Sequence, residues 1–182
     1  MRSEESWAEL KDGRRASLRA PREDDAPALL EYLRRCAAES ENLQRQPDEI
    51  TQTPDDERAF VRRLNESERD FGMMAFVEGE LAGFSTVNAI SQSRKIRHRA
   101  EVSIALLKPY WGVGLGTALL NRMIEQARAL GFEQLELQVV SSNQPAVALY
   151  RKLGFAHCGR LPHAQKLPGG TYQDYDAMIL FL

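Results

Sequence analysis

Cysteine is scarce in this chain, with Cys36 and Cys158 the only two among 182 residues, too few for a disulfide framework. Long apolar runs are missing as well. The longest extend a handful of residues, well short of the ~20 that a membrane helix needs, so no membrane association is expected. Neither sign of charge dominates: 24 Lys and Arg stand against 26 Asp and Glu, a net charge of −2. A nucleic-acid-binding domain would show a basic excess, so no nucleic-acid partner is expected. Residues Met1 to Trp7 lack the apolar core of a signal peptide. A protein of the reducing cytoplasm is the expectation. What remains is an ordinary globular composition, 43% apolar and 27% charged, in a length that fits one domain.

Residues 1–15 are polar, carry Gly13, and read as a loosely held lead-in to a domain over 16–182. Ala16 to Ala20 suits a short strand. Asp24 or Asp25 then caps a helix with Pro27 in its first turn and Ala26, Leu29, Leu30, Leu33 and Cys36 on one face. Thr53-Pro54-Asp55-Asp56 starts a second helix, with Phe60, Val61 and Leu64 on its apolar side. The period then changes. Met73 to Val77 and Leu81 to Ile90 form a hairpin around Glu78-Gly79-Glu80, and Glu101 to Leu107 is a third apolar strand. A long helix runs from about Gly114 to Leu130 and ends at Gly131. Leu135 to Val140 reads as a strand, Asn143 to Leu153 as a short helix, and Phe155 to Arg160 as extended. Pro162 to Gly170 reads as a loop and Tyr172 to Leu182 as a final strand. A hairpin followed by a strand–helix–strand crossover predicts an α/β domain with a mixed sheet.

Trp111-Gly112-Val113-Gly114-Leu115-Gly116-Thr117 lies between a strand and the long helix. Alternate glycines let backbone approach a ligand closely, and the first helical N–H groups are free donors at the positive dipole end. Phosphate or pyrophosphate is the natural guest; a tight turn without a ligand is the plainer reading. The P-loop needs Lys-Ser/Thr after its last glycine, and here Thr117-Ala118 follows. The dinucleotide fingerprint would need its third glycine at Thr117. Both nucleotide patterns fail on spacing.

Lys108 to Leu120, centred on that turn, resembles the acyl-CoA pyrophosphate loop of the GNAT superfamily of acetyl-CoA-dependent N-acetyltransferases. The usual form is Gln/Arg-x-x-Gly-x-Gly/Ala, from which Trp111 departs. Ser142 to Phe155 separately resembles the family's Asn-x-x-Ala-x-x-Leu-Tyr-x-x-x-Gly-Phe block. The resemblance covers roughly residues 16–182. It implies a mixed sheet of about six to seven strands flanked by about four helices, with acetyl-CoA as co-substrate and a primary amine as acceptor, attacked directly. A small-molecule amine such as an amino acid or polyamine is the first expectation; a protein lysine or N-terminus is the second. A catalytically inactive acyl-CoA-binding sensor is the alternative of another class. A homodimer is compatible with all three.

By the same resemblance, backbone groups of Ala105 and Leu106 pair with the pantetheine arm. The amides of Gly112, Val113, Gly114, Leu115, Gly116 and Thr117 hold the pyrophosphate. Tyr150 protonates the departing thiolate, although it also sits where an aromatic would pack the helix onto the sheet. Asn143 touches the pantetheine or acetyl group while serving as a helix cap. Ala100-Glu101-Val102 resembles the segment in which histone-type members carry their general base; a solvated carboxylate is the other reading of Glu101, and Glu136 or water is an alternative base. The branch that acetylates ribosomal-protein N-termini has a Glu where this chain has Gln138. Arg94, Lys95, Arg97, His98 and Arg99 form a basic loop, read as solvated or as meeting the adenosine 3′-phosphate or an acidic substrate. His98, His157 and His163 show no metal-ligand spacing with the cysteines, so no metal is expected.

Overall fold

The computed structural model describes residues 5–182. Its elements run β1 (Ser6–Glu9), β2 (Arg15–Arg19), α1 (Ala26–Glu39), α2 (Pro54–Glu66), β3 (Phe71–Val77), β4 (Glu80–Ala89), β5 (Arg99–Leu106), α3 (Leu115–Ala129), β6 (Gln134–Val140), α4 (Gln144–Lys152), β7 (Ala156–Lys166) and β8 (Tyr172–Phe181). One sheet holds all eight strands in the order β1-β2-β3-β4-β5-β6-β8-β7. The α/β class and mixed sheet are as expected, with one strand more than the upper figure.

That extra strand comes from the lead-in. Residues 1–4 lie outside the described residues, but Ser6–Glu9 pairs antiparallel with β2 and is part of the sheet, not a loose tail. A second correction concerns Pro162 to Gly170. Strand β7 continues to Lys166, absorbing Pro162 to Ala164 in a wide bulge between Leu161 and Gln165. Proline is tolerated because β7 pairs only with β8, so the missing N–H faces no second strand. A third is the cap of α1. The Asp25 carboxylate makes no side-chain cap; it takes both guanidinium nitrogens of Arg19 at 2.7 and 2.8 Å and the Arg22 amide at 2.7 Å. Thr53, by contrast, caps α2 in a reciprocal box with Asp56.

The helices take opposite faces. Phe60 of α2 meets Phe84 of β4 edge-on at 6.4 Å, so α1 and α2 cover the Phe84 face. Helix α3 lies over the other face, where Leu119 approaches Gly83. The core between these layers includes Leu18, Leu29, Met73, Met74, Leu119, Leu120, Met123 and Leu135, each 1% exposed or less. At ~25 cal/mol per Å² of apolar area removed from water, such side chains contribute about 1.5–3 kcal/mol each.

The sheet is not continuous in the middle. β5 and β6 run parallel but pair only over Arg99↔Gln134, Ala100↔Leu135 and Glu101↔Glu136. Beyond Glu101 they diverge, leaving a gap between the C-terminal halves of two central strands. In a parallel pair alternate residues turn their backbone groups toward the neighbour. Leu107 donates to Ala82 and Ile90 to Arg99, which gives the odd-numbered residues of β5 to β4. The backbones of Ile104 and Leu106 therefore face the gap.

Candidate active site

The glycine turn closes the same end of β5. Gly112 and Gly114 have φ of +76° and +95°, and helix α3 starts directly after Gly114. A side chain at Gly114 would be strained by that left-handed backbone. Gly116 is closely packed: a Cβ there would stand 2.9 Å from the tip of the Leu149 side chain and 3.3 Å from that of Leu106, which would have to shift. The turn leaves a run of donors. Among the described residues, none of the six amides from Gly112 to Thr117 donates a hydrogen bond, while the Val113 carbonyl accepts from Lys11 and that of Gly114 from Ala118. Six consecutive free N–H groups at a helix N-terminus form a cradle for a polyanion.

Two residues missed by the sequence pattern shape the gap. Tyr32, 2% exposed, donates its hydroxyl to the Ala105 carbonyl at 2.5 Å and accepts the Phe84 amide at 3.0 Å. The phenol is wedged into the β4–β5 ladder, and burial pushes its pKa well up. Ala105 thus turns its carbonyl to β4, away from the gap. The backbone that faces the gap is that of Ile104 and Leu106, and not of Ala105 as expected. Trp111 is the second: its indole N–H donates to the Leu106 carbonyl at 2.9 Å, tying the turn to the strand. A phenol 73 residues from its acceptor leaves no local signal, whereas the Trp111 departure was visible in the motif.

Asn143 caps α4, its side-chain oxygen accepting the Ala146 amide at 3.3 Å. Helix α4 packs on the start of α3 through Leu149, on the α3 side of the sheet. Tyr150 is 8% exposed, and its ring meets Phe155 at 5.8 Å and 64°. Its hydroxyl makes no hydrogen bond among the described residues, and burial pushes its pKa up to about 12. The group is a phenol at every ordinary pH, a donor with nothing to donate to.

Glu101 emerges on the opposite face. Alternation along β5 puts it beside Ser103, on the side of Thr86 and Asn88, where Thr86 and Ser103 hydroxyls meet at 2.8 Å. It is exposed at the apex of the gap and carries no ion pair among the described residues. Glu136, directly across, is bound by Arg99 through both guanidinium arms, one at 2.7 Å, and that pairing lowers its pKa. Of the two carboxylates only Glu101 is without an ion pair among the described residues. Arg99 is thereby removed from the basic loop. The rest of that loop sits at the far end of β5 from the glycine turn, and eight residues at ~3.3 Å each put about 26 Å between them.

A strap connects the two halves of the sheet. Gln165 of β7 donates to the carbonyls of Glu41 and Leu43, in the loop after α1, at 3.0 and 3.3 Å. The Tyr175 hydroxyl holds the same amide from below at 2.5 Å. Among the described residues no group of three or more His, Cys, Asp and Glu could hold a metal ion.

Residues 27–155 match the acetyltransferase (GNAT) family. An N-alpha-acetyltransferase from Sulfurisphaera tokodaii is 37% identical over 114 residues, 57% of this chain and 66% of that protein. An L-methionine sulfoximine/L-methionine sulfone acetyltransferase from Pseudomonas paraeruginosa is 32% identical over 105 residues, 57% of this chain and 60% of that protein. The chain thus spans less than two thirds of either curated relative. A crystal structure of a GNAT-family acetyltransferase from Streptococcus pneumoniae superposes with a TM-score of 0.87 at 30% identity, covering 92% of this chain and 99% of that one.

Proposed function

The chain belongs to the acetyltransferase (GNAT) family, and on that premise we propose that it moves an acetyl group from acetyl-CoA to the primary amine of a small molecule. The observation that carries this reading is the run of six free amides, Gly112 to Thr117, opening onto the gap between β5 and β6. The amides would hold the pyrophosphate, and the gap-facing backbone of Ile104 together with the Leu106 amide would hold the pantetheine arm like an added strand. Acetyl-CoA, when bound, supplies the activated acetyl thioester.

The chain's own residues divide the remaining work between the two faces of the sheet. Glu101 takes the proton of the incoming ammonium on the α1 side, so that a neutral amine attacks. Tyr150 holds a proton on its hydroxyl on the α3 side, where the thiolate departs. Base and acid thus flank the gap, and amine entry and thiol exit need not share a route. Asn143 orients the start of α4 and with it Tyr150.

The acceptor in this reading is a small amine of the amino-acid or polyamine class. The Pseudomonas relative, named for an amino-acid analogue, supports the same class. A second reading, acetylation of protein N-termini, draws on the name of the Sulfurisphaera relative. A thiol-release assay over amino acids, polyamines and N-terminal peptides tests the choice: turnover confined to peptides would refute the small-molecule reading, and no turnover with any of them would favour a sensor.

A further inference from the structure

We infer that Lys11, in the turn between β1 and β2, is a further anion-binding residue of the acetyl-CoA site and pairs with the pyrophosphate. The inference rests on the acetyl-CoA reading above. The hairpin that carries Lys11 lies outside the family's matched span of 27–155, and neither glycine turn nor helix N-terminus requires it.

The contact is direct. The Lys11 amide donates to the Val113 carbonyl at 2.9 Å, which docks the hairpin on the glycine turn. The side chain then runs along that turn, with Cγ 3.5 Å and Cε 3.9 Å from where a Cβ of Gly114 would stand. The ammonium is one bond beyond Cε, near Gly114, the residue just before α3. It is exposed and forms no ion pair or hydrogen bond among the described residues.

Its neighbours leave the charge uncompensated. The nearest carboxylate in sequence, Asp12, is bound by Arg14 at 2.7 and 2.9 Å, and that hydrogen bonding lowers its pKa. Arg14 also lies 3.9 Å from Glu78 and rests over the Tyr110 ring at 5.0 Å. Asp12 and Glu78 are thus directed at Arg14, not at Lys11. The hairpin itself is fixed, with Leu10 donating to Arg14 at 2.8 Å and Gly13 to Leu10 at 3.1 Å. A helix N-terminus offers about half a unit charge and donors of fixed direction. An ammonium on a flexible stem adds a full charge and three rotatable donors. Two negative charges of a pyrophosphate suit that combination better than amides alone.

Calorimetric titration of the full chain tests the assignment, using wild type, Lys11→Met and Lys11→Arg. Three probes are needed: acetyl-CoA, its 3′-dephospho form, and acetyl-pantetheine, which has neither phosphate group. Lys11→Met should weaken the first two about three- to tenfold, between the effect of an exposed ion pair and that of a charge-assisted hydrogen bond. Acetyl-pantetheine should bind Met variant and wild type alike, Lys11→Arg should restore most of the affinity, and melting temperatures should agree. Equal binding of acetyl-CoA by wild type and Lys11→Met would overturn the inference. So would a loss shared by acetyl-pantetheine, which would mean a displaced hairpin, or a loss confined to the probe with the 3′-phosphate. If wild type bound none of the probes, the acetyl-CoA reading itself would fall, and the role of Lys11 with it.

Discussion

Replacing Tyr150 with Phe removes one oxygen and leaves the packing alone, which makes it the sharpest probe of the site. The hydroxyl has no partner among the described residues, while the ring is held against Phe155. Folding stability near neutral pH should therefore stay close to wild type. Turnover should not. Loss of a general acid costs about 10²–10⁴-fold, or about 3–6 kcal/mol on the barrier at ~1.4 kcal/mol per tenfold. Tyr150→Ala supplies the contrast, since emptying a buried aromatic site costs about 3–5 kcal/mol of stability. The titration offers a separate check. The folded pKa of about 12 lies above the ~10 of an unfolded tyrosine, because burial disfavours the phenolate. That contribution is whole below pH 10 and fades between pH 10 and pH 12, by about 2–3 kcal/mol, so the Phe variant should lose less stability over that window. Steady-state thiol release and melting curves for the three proteins measure all of this. A Phe variant with wild-type kcat would refute the acid role and leave Tyr150 as a packing residue.

Gly114→Asp should abolish acetyl-CoA binding in calorimetry while the protein stays folded, because it places a strained side chain and a negative charge in the amide cradle; normal binding by a folded variant would show the cradle to be elsewhere. Glu101→Gln should reduce kcat about 10²-fold or more near neutral pH and recover in part as pH rises and free amine accumulates; an unchanged pH–rate profile would transfer the proton to water. Thr53→Ala should lower stability by about 1 kcal/mol without touching kcat, since it removes the cap of α2 and its box with Asp56; a denaturant titration with an unmoved midpoint would contradict this.

Local signals in the sequence marked the elements well where the chemistry was itself local. Thr53-Pro54-Asp55-Asp56 started a helix because cap, proline and acids act within one turn. Gly112 to Gly116 formed the expected turn before a helix for the same reason. Features decided by distant partners were illegible. Asp25 looked like a cap but is held by Arg19 on β2. Ala105 looked like a backbone ligand, yet the Tyr32 hydroxyl turns its carbonyl to β4. β7 ran on past Pro162 because it is an edge strand, and edge position is a property of the whole sheet. Lys11 carried no motif; only the docking of a hairpin on a turn a hundred residues later brings it to the site.

The three register pairs that join β5 to β6 form a short seam, and no strand pairing joins the two beyond it. β1 to β5 lie on one side and β6, β8 and β7 on the other, like two leaves on a narrow spine. An occupant bonded to both leaves would be part of the architecture, filling the place of a missing strand. Its binding energy would appear directly as resistance to unfolding, about 2.7 kcal/mol at a hundred times its dissociation constant. Depletion of the co-substrate would then loosen the sheet as well as idle the chemistry, so the lifetime of the protein would track the supply of the molecule it consumes.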